Sequence, residues 1–216
     1  MMISRILKIL FFALLIKPIV FIVLGLNISF REKLPQKGPA LLAPNHNSHL
    51  DTMVLISLYP LSKIHKVRPV AAADYFLSNR LLAWFSLNVI GIIPLDRKGG
   101  TARDEIFSEC LKALDNGDIL VVFPEGSRGE PEQLSNLKRG IFYLSKEYGH
   151  VPITPIVMHG LGRSLPRGEG LFVPFNCDIV IGDSLLIQES AGQIQSTLLP
   201  AYHHLYQFCL TRQDEN

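Results

Sequence analysis

An α/β fold, with a largely parallel central sheet covered by helices and a membrane-associated helical segment in front of it, is predicted by three observations. Short apolar runs of strand length alternate with longer runs of helical period along most of the chain, which is the rhythm of βαβ units. The middle runs, such as 119–123, are apolar without alternation, as strands covered on both faces are. The amino terminus is apolar over a length comparable to a bilayer core. At 216 residues the remainder suits one domain with a sizeable core, so the expected organisation is an anchoring segment, 1–33, followed by a single domain, 34–216.

Residues 9–26 are apolar except for Lys17-Pro18, which divides them into two runs of eight. Together they reach the lower edge of the roughly 17–25 residues needed to span the hydrocarbon. A mid-span lysine costs about 2.5–3.5 kcal/mol on insertion scales, and Pro18 is expected to kink a helix there. Two arrangements stay open: a spanning helix, or a kinked element sunk into one leaflet. The second is preferred, with Lys17 reaching the headgroups and Arg5, Lys8, Arg31, Lys33 and Lys37 meeting anionic lipid. A cleaved signal peptide fits poorly, since Lys17 interrupts its apolar core and no small-residue cleavage site follows.

Beyond the turn-rich stretch 34–39, strands are expected at 40–43 and 67–73, and a helix with a broad, buried apolar face at 75–87. A strand follows at 89–95. Thr101 with Asp104 resembles a capping box opening a helix to Asp115, which Asn116-Gly117 stops before the strand 119–123. A helix at 137–148, ended by Gly149, leads to strands at 151–158 and 178–181. The tail after Gln193 reads as helical, kinked or divided at Pro200.

Composition narrows the function classes. Apolar residues make up 48% of the chain and charged ones 19%, with a net charge of +2, so lipid is favoured as a partner and nucleic acid is not. Cys110, Cys177 and Cys209 are odd in number and widely spaced, encoding neither a disulfide framework nor a zinc knuckle. A reducing, cytosol-facing setting is expected.

Chemistry concentrates in Asn45-His46-Asn47-Ser48-His49-Leu50-Asp51, directly after the first strand of the domain, where α/β proteins place their sites. Five positions turn about 140° around a helix. His46 and Asp51 can therefore pair only if the histidine lies in the loop and the aspartate in the first helical turn beyond it. Asp51 would then hold the imidazole tautomer and leave the other nitrogen as a general base. The plain alternative is a set of loop and cap residues around a bystander histidine. A metallohydrolase of the H-x-H-x-D-H pattern would need histidine where Asn47 and Thr52 stand, so no metal site is expected. Gly182-Asp183-Ser184-Leu185 lacks the late Asp-x-x-His of serine hydrolases sharing that signature and reads as a turn. Glu125-Gly126-Ser127-Arg128-Gly129 has glutamate where a nucleophile elbow needs glycine. Two apolar strands do end in arginine-bearing loops, at Asp96-Arg97 and at Phe123-Pro124-Glu125-Gly126-Ser127-Arg128. Either arginine can clamp a phosphate or be an ordinary surface residue.

Taken in order, these blocks resemble the glycerophospholipid acyltransferase family typified by 1-acylglycerol-3-phosphate acyltransferase. The His-x4-Asp signature is met by His46 and Asp51, the apolar-Asp-Arg block by Gly91 to Arg97, the Phe-Pro-Glu-Gly-Ser-Arg block by Phe123 to Arg128, and the last block by Val151 to Ile156. Pro94-Leu95 departs from the usual pattern, which opens the acceptor identity more than the reaction. The resemblance implies that His46, oriented by Asp51, deprotonates a hydroxyl of a lysophospholipid acceptor for attack on acyl-CoA or acyl carrier protein. It implies Arg97, Glu125, Gly126 and Arg128 around the acceptor phosphate and glycerol, Pro152 and Ile156 on the acyl-channel wall, and no cofactor or metal. Acylation of glycerol 3-phosphate or a lyso-aminolipid, or a non-catalytic membrane lipid-binding role, are the alternatives.

Overall fold

The structure is a computed structural model that describes residues 2–48, 50–96, 103–127, 129, 133–164, 176–186 and 191–212. Helix α1, Met2–Phe11, continues through two wider π-type turns at Phe12–Ile16 and Ile19–Val23. These flank Lys17-Pro18, where a proline without an N–H removes an α-helical bond and the neighbouring turns widen. Strand β1, Gly25–Ser29, follows directly, then β2, Ala40–Pro44 and α2, Asp51–Ser57. Next come β3, Val67–Ala72, α3, Ala73–Phe76, α4, Arg80–Phe85 and β4, Ile93–Leu95. Helix α5, Arg103–Asp115, strand β5, Ile119–Val121, helix α6, Gly140–Glu147 and strand β6, Ile153–His159 form the middle of the domain. The short α7, Leu161–Ser164, strand β7, Asn176–Ile181 and α8, Gln193–Tyr206 complete it.

The described strands form one seven-stranded sheet in the order β1-β7-β6-β2-β5-β3-β4. Strands β6, β2, β5, β3 and β4 are parallel, β7 runs antiparallel to β6, and β1 lies parallel to β7. The period of two sorts the core into two layers. Leu42, Val121, Ile156, Met158 and Ile179 face Phe12, Val20, Leu24 and α2, whereas Leu41, Leu120, Val157 and Val180 face α5, α6 and α8. The expected α/β class with a largely parallel sheet is the one observed.

Several local expectations differ. The anchor boundary expected at residue 33 is not a structural one: Gly25–Ser29 is a full strand, registered against β7 from Gly25↔Asn176 to Ser29↔Val180. Residues 75–87 are not one buried helix but α3 and α4, divided at 77–79, and neither buries a residue fully. Residues 89–95 are not all strand, because a π-type turn runs through Ser86–Ile90 and Gly91 sits at φ +77°, leaving only Ile93–Leu95 extended. Gly117 (φ +70°) and Gly149 (φ +85°) do end α5 and α6 in the left-handed conformation that glycine tolerates. Pro200 lies inside an unbroken α8. The side chains of the expected capping box at Thr101 and Asp104 lie outside the described residues.

Candidate active site

Strand β2 delivers its carboxyl end to a loop that packing holds in place from beneath. The Asn45 backbone N–H donates to the Ile156 carbonyl at 3.2 Å. Its side-chain amide donates to the Met158 carbonyl at 2.9 Å and to the Tyr206 hydroxyl at 3.2 Å, and accepts the Met158 N–H at 2.6 Å. Tyr202 donates its hydroxyl to the Ala43 carbonyl at 2.8 Å. Burial first, and the Glu125 carboxylate second, push the Tyr202 phenol well above its ordinary pKa, so it remains a donor. Two tyrosines of the last helix therefore fix the backbone on which the histidine sits.

His46 lies in the loop and Asp51 opens α2, the only arrangement in which their spacing allows a pair. His46 Nδ1 is 2.9 Å from Asp51 Oδ2. The same oxygen accepts the N–H groups of Asn47 at 2.8 Å and Ser48 at 2.9 Å, and Asp51 is fully buried. A carboxylate oxygen receiving two backbone N–H bonds is held in place, and with Nδ1–H directed at that acceptor, Nε2 is the nitrogen left for the substrate. The imidazole side chain keeps 19% of its surface exposed. It stacks on Phe123, with ring centroids 3.8 Å apart and planes 26° apart, which removes the remaining freedom to rotate.

Glu125 clamps this loop. Although its resemblance-based role is acceptor binding, it is only 1% exposed and turned inward. Oε1 accepts the His46 backbone N–H at 2.8 Å and Oε2 accepts that of Ser135 at 2.9 Å. The Gly129 N–H donates to the His46 carbonyl at 3.1 Å, so both peptide groups of the histidine are tied to the 123–129 loop. Gly126 makes the turn at φ +72°, with Lys138 Cγ only 3.3 Å from where a Cβ would stand. Glu125→Ala strips the acceptor from two N–H groups; at about 1.5–3 kcal/mol per bond to a charged group, a stability loss of about 3–6 kcal/mol is expected in chemical denaturation.

Arg97 and Arg128 lie outside the described residues. Ile156 is enclosed in the core and acts on the site through its carbonyl bond to Asn45. Pro152 is exposed at the amino end of β6, its carbonyl accepting the Leu41 N–H. At about 3.3 Å per residue it lies roughly 13 Å along the strand from Ile156, at the end of the sheet remote from His46. Of the two, only Ile156 is bonded to the catalytic loop. Phe123, Tyr202 and Tyr206 are contributors that sequence reasoning missed. Phe123 was visible within its motif, but nothing local ties the two tyrosines to a loop some 160 positions earlier.

Asp51→Asn tests the pairing. An asparagine oxygen can still receive the three N–H groups, so the loop persists while the charge that stabilises an imidazolium is gone. Loss of one charge-assisted bond is worth about 1.5–3 kcal/mol, about 10- to 150-fold in kcat. An unchanged kcat would separate Asp51 from the reaction.

Comparison with known proteins gives concordant results. The model of a family described as Acyltransferase matches residues 25–159. A chloroplastic 1-acyl-sn-glycerol-3-phosphate acyltransferase of Arabidopsis thaliana is 29% identical over 158 residues, 72% of this chain and 42% of that protein. The alpha form of that enzyme from Homo sapiens is 28% identical over 160 residues, covering 72% of this chain and 53% of its own length. The Saccharomyces cerevisiae enzyme is 30% identical over 159 residues, covering 70% and 49% respectively. The chain thus spans about half the length of the curated relatives it matches. The crystal structure of the 1-acyl-sn-glycerophosphate acyltransferase PlsC of Thermotoga maritima superposes with a TM-score of 0.65 over 88% of this chain and 78% of that one, at 15% identity, a likeness of fold.

Proposed function

The chain belongs to the acyltransferase family, and from that premise we propose that it transfers a fatty acyl group from a thioester, acyl-CoA or acyl carrier protein, to the free hydroxyl of 1-acylglycerol-3-phosphate or a closely related lysophospholipid. The observation that carries this reading is the 2.9 Å contact between His46 Nδ1 and the buried Asp51 carboxylate. His46 Nε2 takes the proton of the acceptor hydroxyl as its oxygen attacks the thioester carbonyl carbon. Asp51 stabilises the imidazolium that forms. Collapse of the tetrahedral intermediate breaks the carbon–sulfur bond, and the departing thiolate recovers the proton from Nε2. The nucleophile is the acceptor's own oxygen, so no serine or cysteine of the chain enters. Arg97 and Arg128 are assigned to the acceptor phosphate, and no metal or cofactor has a part in the steps.

The chain associates with membranes through its first helix. Met2–Val23 is the one described helix long and apolar enough to cross a bilayer, and little of it is buried against the domain. It nevertheless bonds along the domain surface. Lys8 Nζ donates to the Val67 carbonyl at 2.8 Å, and Lys17 Nζ to the Ser57 and Tyr59 carbonyls at 2.6 and 2.9 Å. Lys8 and Lys17 therefore cap domain carbonyls instead of meeting lipid headgroups, Arg31 likewise caps Leu58, and Lys33 pairs with Asp183. A helix held at both lysines lies along the domain, which favours seating in one leaflet over spanning the bilayer.

The test is transfer of a labelled acyl group, from each donor, by membranes containing the chain, with 1-acylglycerol-3-phosphate, glycerol 3-phosphate and an uncharged monoacylglycerol as acceptors. The expected product is the diacyl phosphate, insensitive to chelators. Equal rates with the uncharged acceptor would remove the two arginines from their assigned role, and transfer to glycerol 3-phosphate alone would replace the acceptor.

A further inference from the structure

Neither the catalytic reading nor the amino-terminal helix accounts for the apolar surface of α3 and α4. Tyr75, Leu77, Leu81, Trp84 and Leu87 are all exposed within this short stretch, Leu81 to 81% and Trp84 to 54%. A cluster of large apolar side chains at helical spacing, left in water, marks a surface with a partner. Its position names the partner. Phe85 meets Phe11 edge to face at 5.2 Å, and the Ser4 hydroxyl donates to Asn88 Oδ1 at 3.1 Å. Leu81 and Trp84 stand one helical turn before Phe85 and Asn88, so they lie on the side of α4 that borders α1. On α1 and its continuation, Ile3, Ile6, Leu10 and Leu14 form an outward stripe. The exposed stripe of α4 is thus continuous with the apolar helix that associates with the membrane.

We propose that α3–α4 is a second bilayer-contacting element, with Leu81 and Trp84 entering the interfacial layer of the leaflet that receives the amino-terminal helix. An indole, apolar with one polar N–H, suits that layer. Two adjoining contacts also fix the rotation of the domain about α1, which one helix alone does not. Helix α3 begins immediately after β3, at the carboxyl end of the parallel sheet, the same end at which β2 delivers His46.

Trp84 is the single tryptophan of the chain, so intrinsic fluorescence reports on this surface alone. The full chain and its His46→Ala variant are reconstituted on phosphatidylcholine–phosphatidylglycerol vesicles, with and without brominated acyl chains, and binding is verified by flotation. The expected result is emission shifted to shorter wavelength and mostly lost in the brominated vesicles, in both proteins alike. Flotation of the chain with water-like, unquenched emission would overturn the proposal, and so would a lipid-free blue shift that reverts on dilution, since a second copy would then cover the stripe. Absence of acyl transfer leaves the fluorescence result standing and counts only against the catalytic reading.

Discussion

Replacing His46 by alanine is expected to lower acyl transfer by on the order of 10²–10⁴, the usual contribution of a positioned general base, with little loss of stability. The small structural cost follows from how the residue is held. Its backbone N–H and carbonyl are bound by Glu125 and Gly129, and these bonds do not depend on the side chain. Asn45 is fixed separately by Met158 and Tyr206, and Asp51 retains the Asn47 and Ser48 N–H groups as charge-assisted partners. What alanine removes is the basic nitrogen and the ring stacked on Phe123. The check is single-turnover transfer by wild type and variant at matched levels of folded protein, followed by circular dichroism and thermal melts. A variant with the wild-type rate would show that another group takes the proton, whereas a variant that has lost its melting transition would make its lost rate uninformative about chemistry and shift the test to Asp51→Asn.

The pairing of His46 with Asp51 was legible because spacing constrains it: five positions exclude one helical face, and only a loop-to-helix junction brings the groups together. The same logic could not reach Glu125, whose motif suggested a ligand contact, because the direction of a side chain at a turn depends on which loops pack above it. Strand β1 escaped notice for a different reason. Gly25, Asn27 and Ser29 are poor strand formers, and their partner is β7, about 150 positions later, so tertiary pairing overrides local preference. On α4 the helical period of apolar residues was real, but period alone does not say what covers it. Burial in a core and burial in lipid demand the same pattern, and only the exposure of Leu81 and Trp84 separates them.

Deleting residues 1–30 is expected to abolish the folded domain and not merely detach it from membranes. The deletion removes Phe12, Val20 and Leu24, which are buried among Leu42, Val54 and Ile156 on one face of the sheet. It also removes β1 and the two lysines that cap carbonyls at Ser57, Tyr59 and Val67. Truncating a large buried apolar side chain costs about 2–5 kcal/mol; three together approach the roughly 5–15 kcal/mol by which domains are stable. Loss of β1 further exposes the edge of β7, a template for aggregation. Expression of 31–216 should yield insoluble protein, or a chain without a cooperative melt. A monomeric, cooperatively melting 31–216 would mean that the helix is an appendage after all. The contrasting variant replaces only the outward Ile3, Ile6, Leu10 and Leu14 by serine, and should melt cooperatively while its recovery with membranes falls. Anchoring and folding share one helix here but use different faces of it, so the two functions separate by face and not by position along the chain.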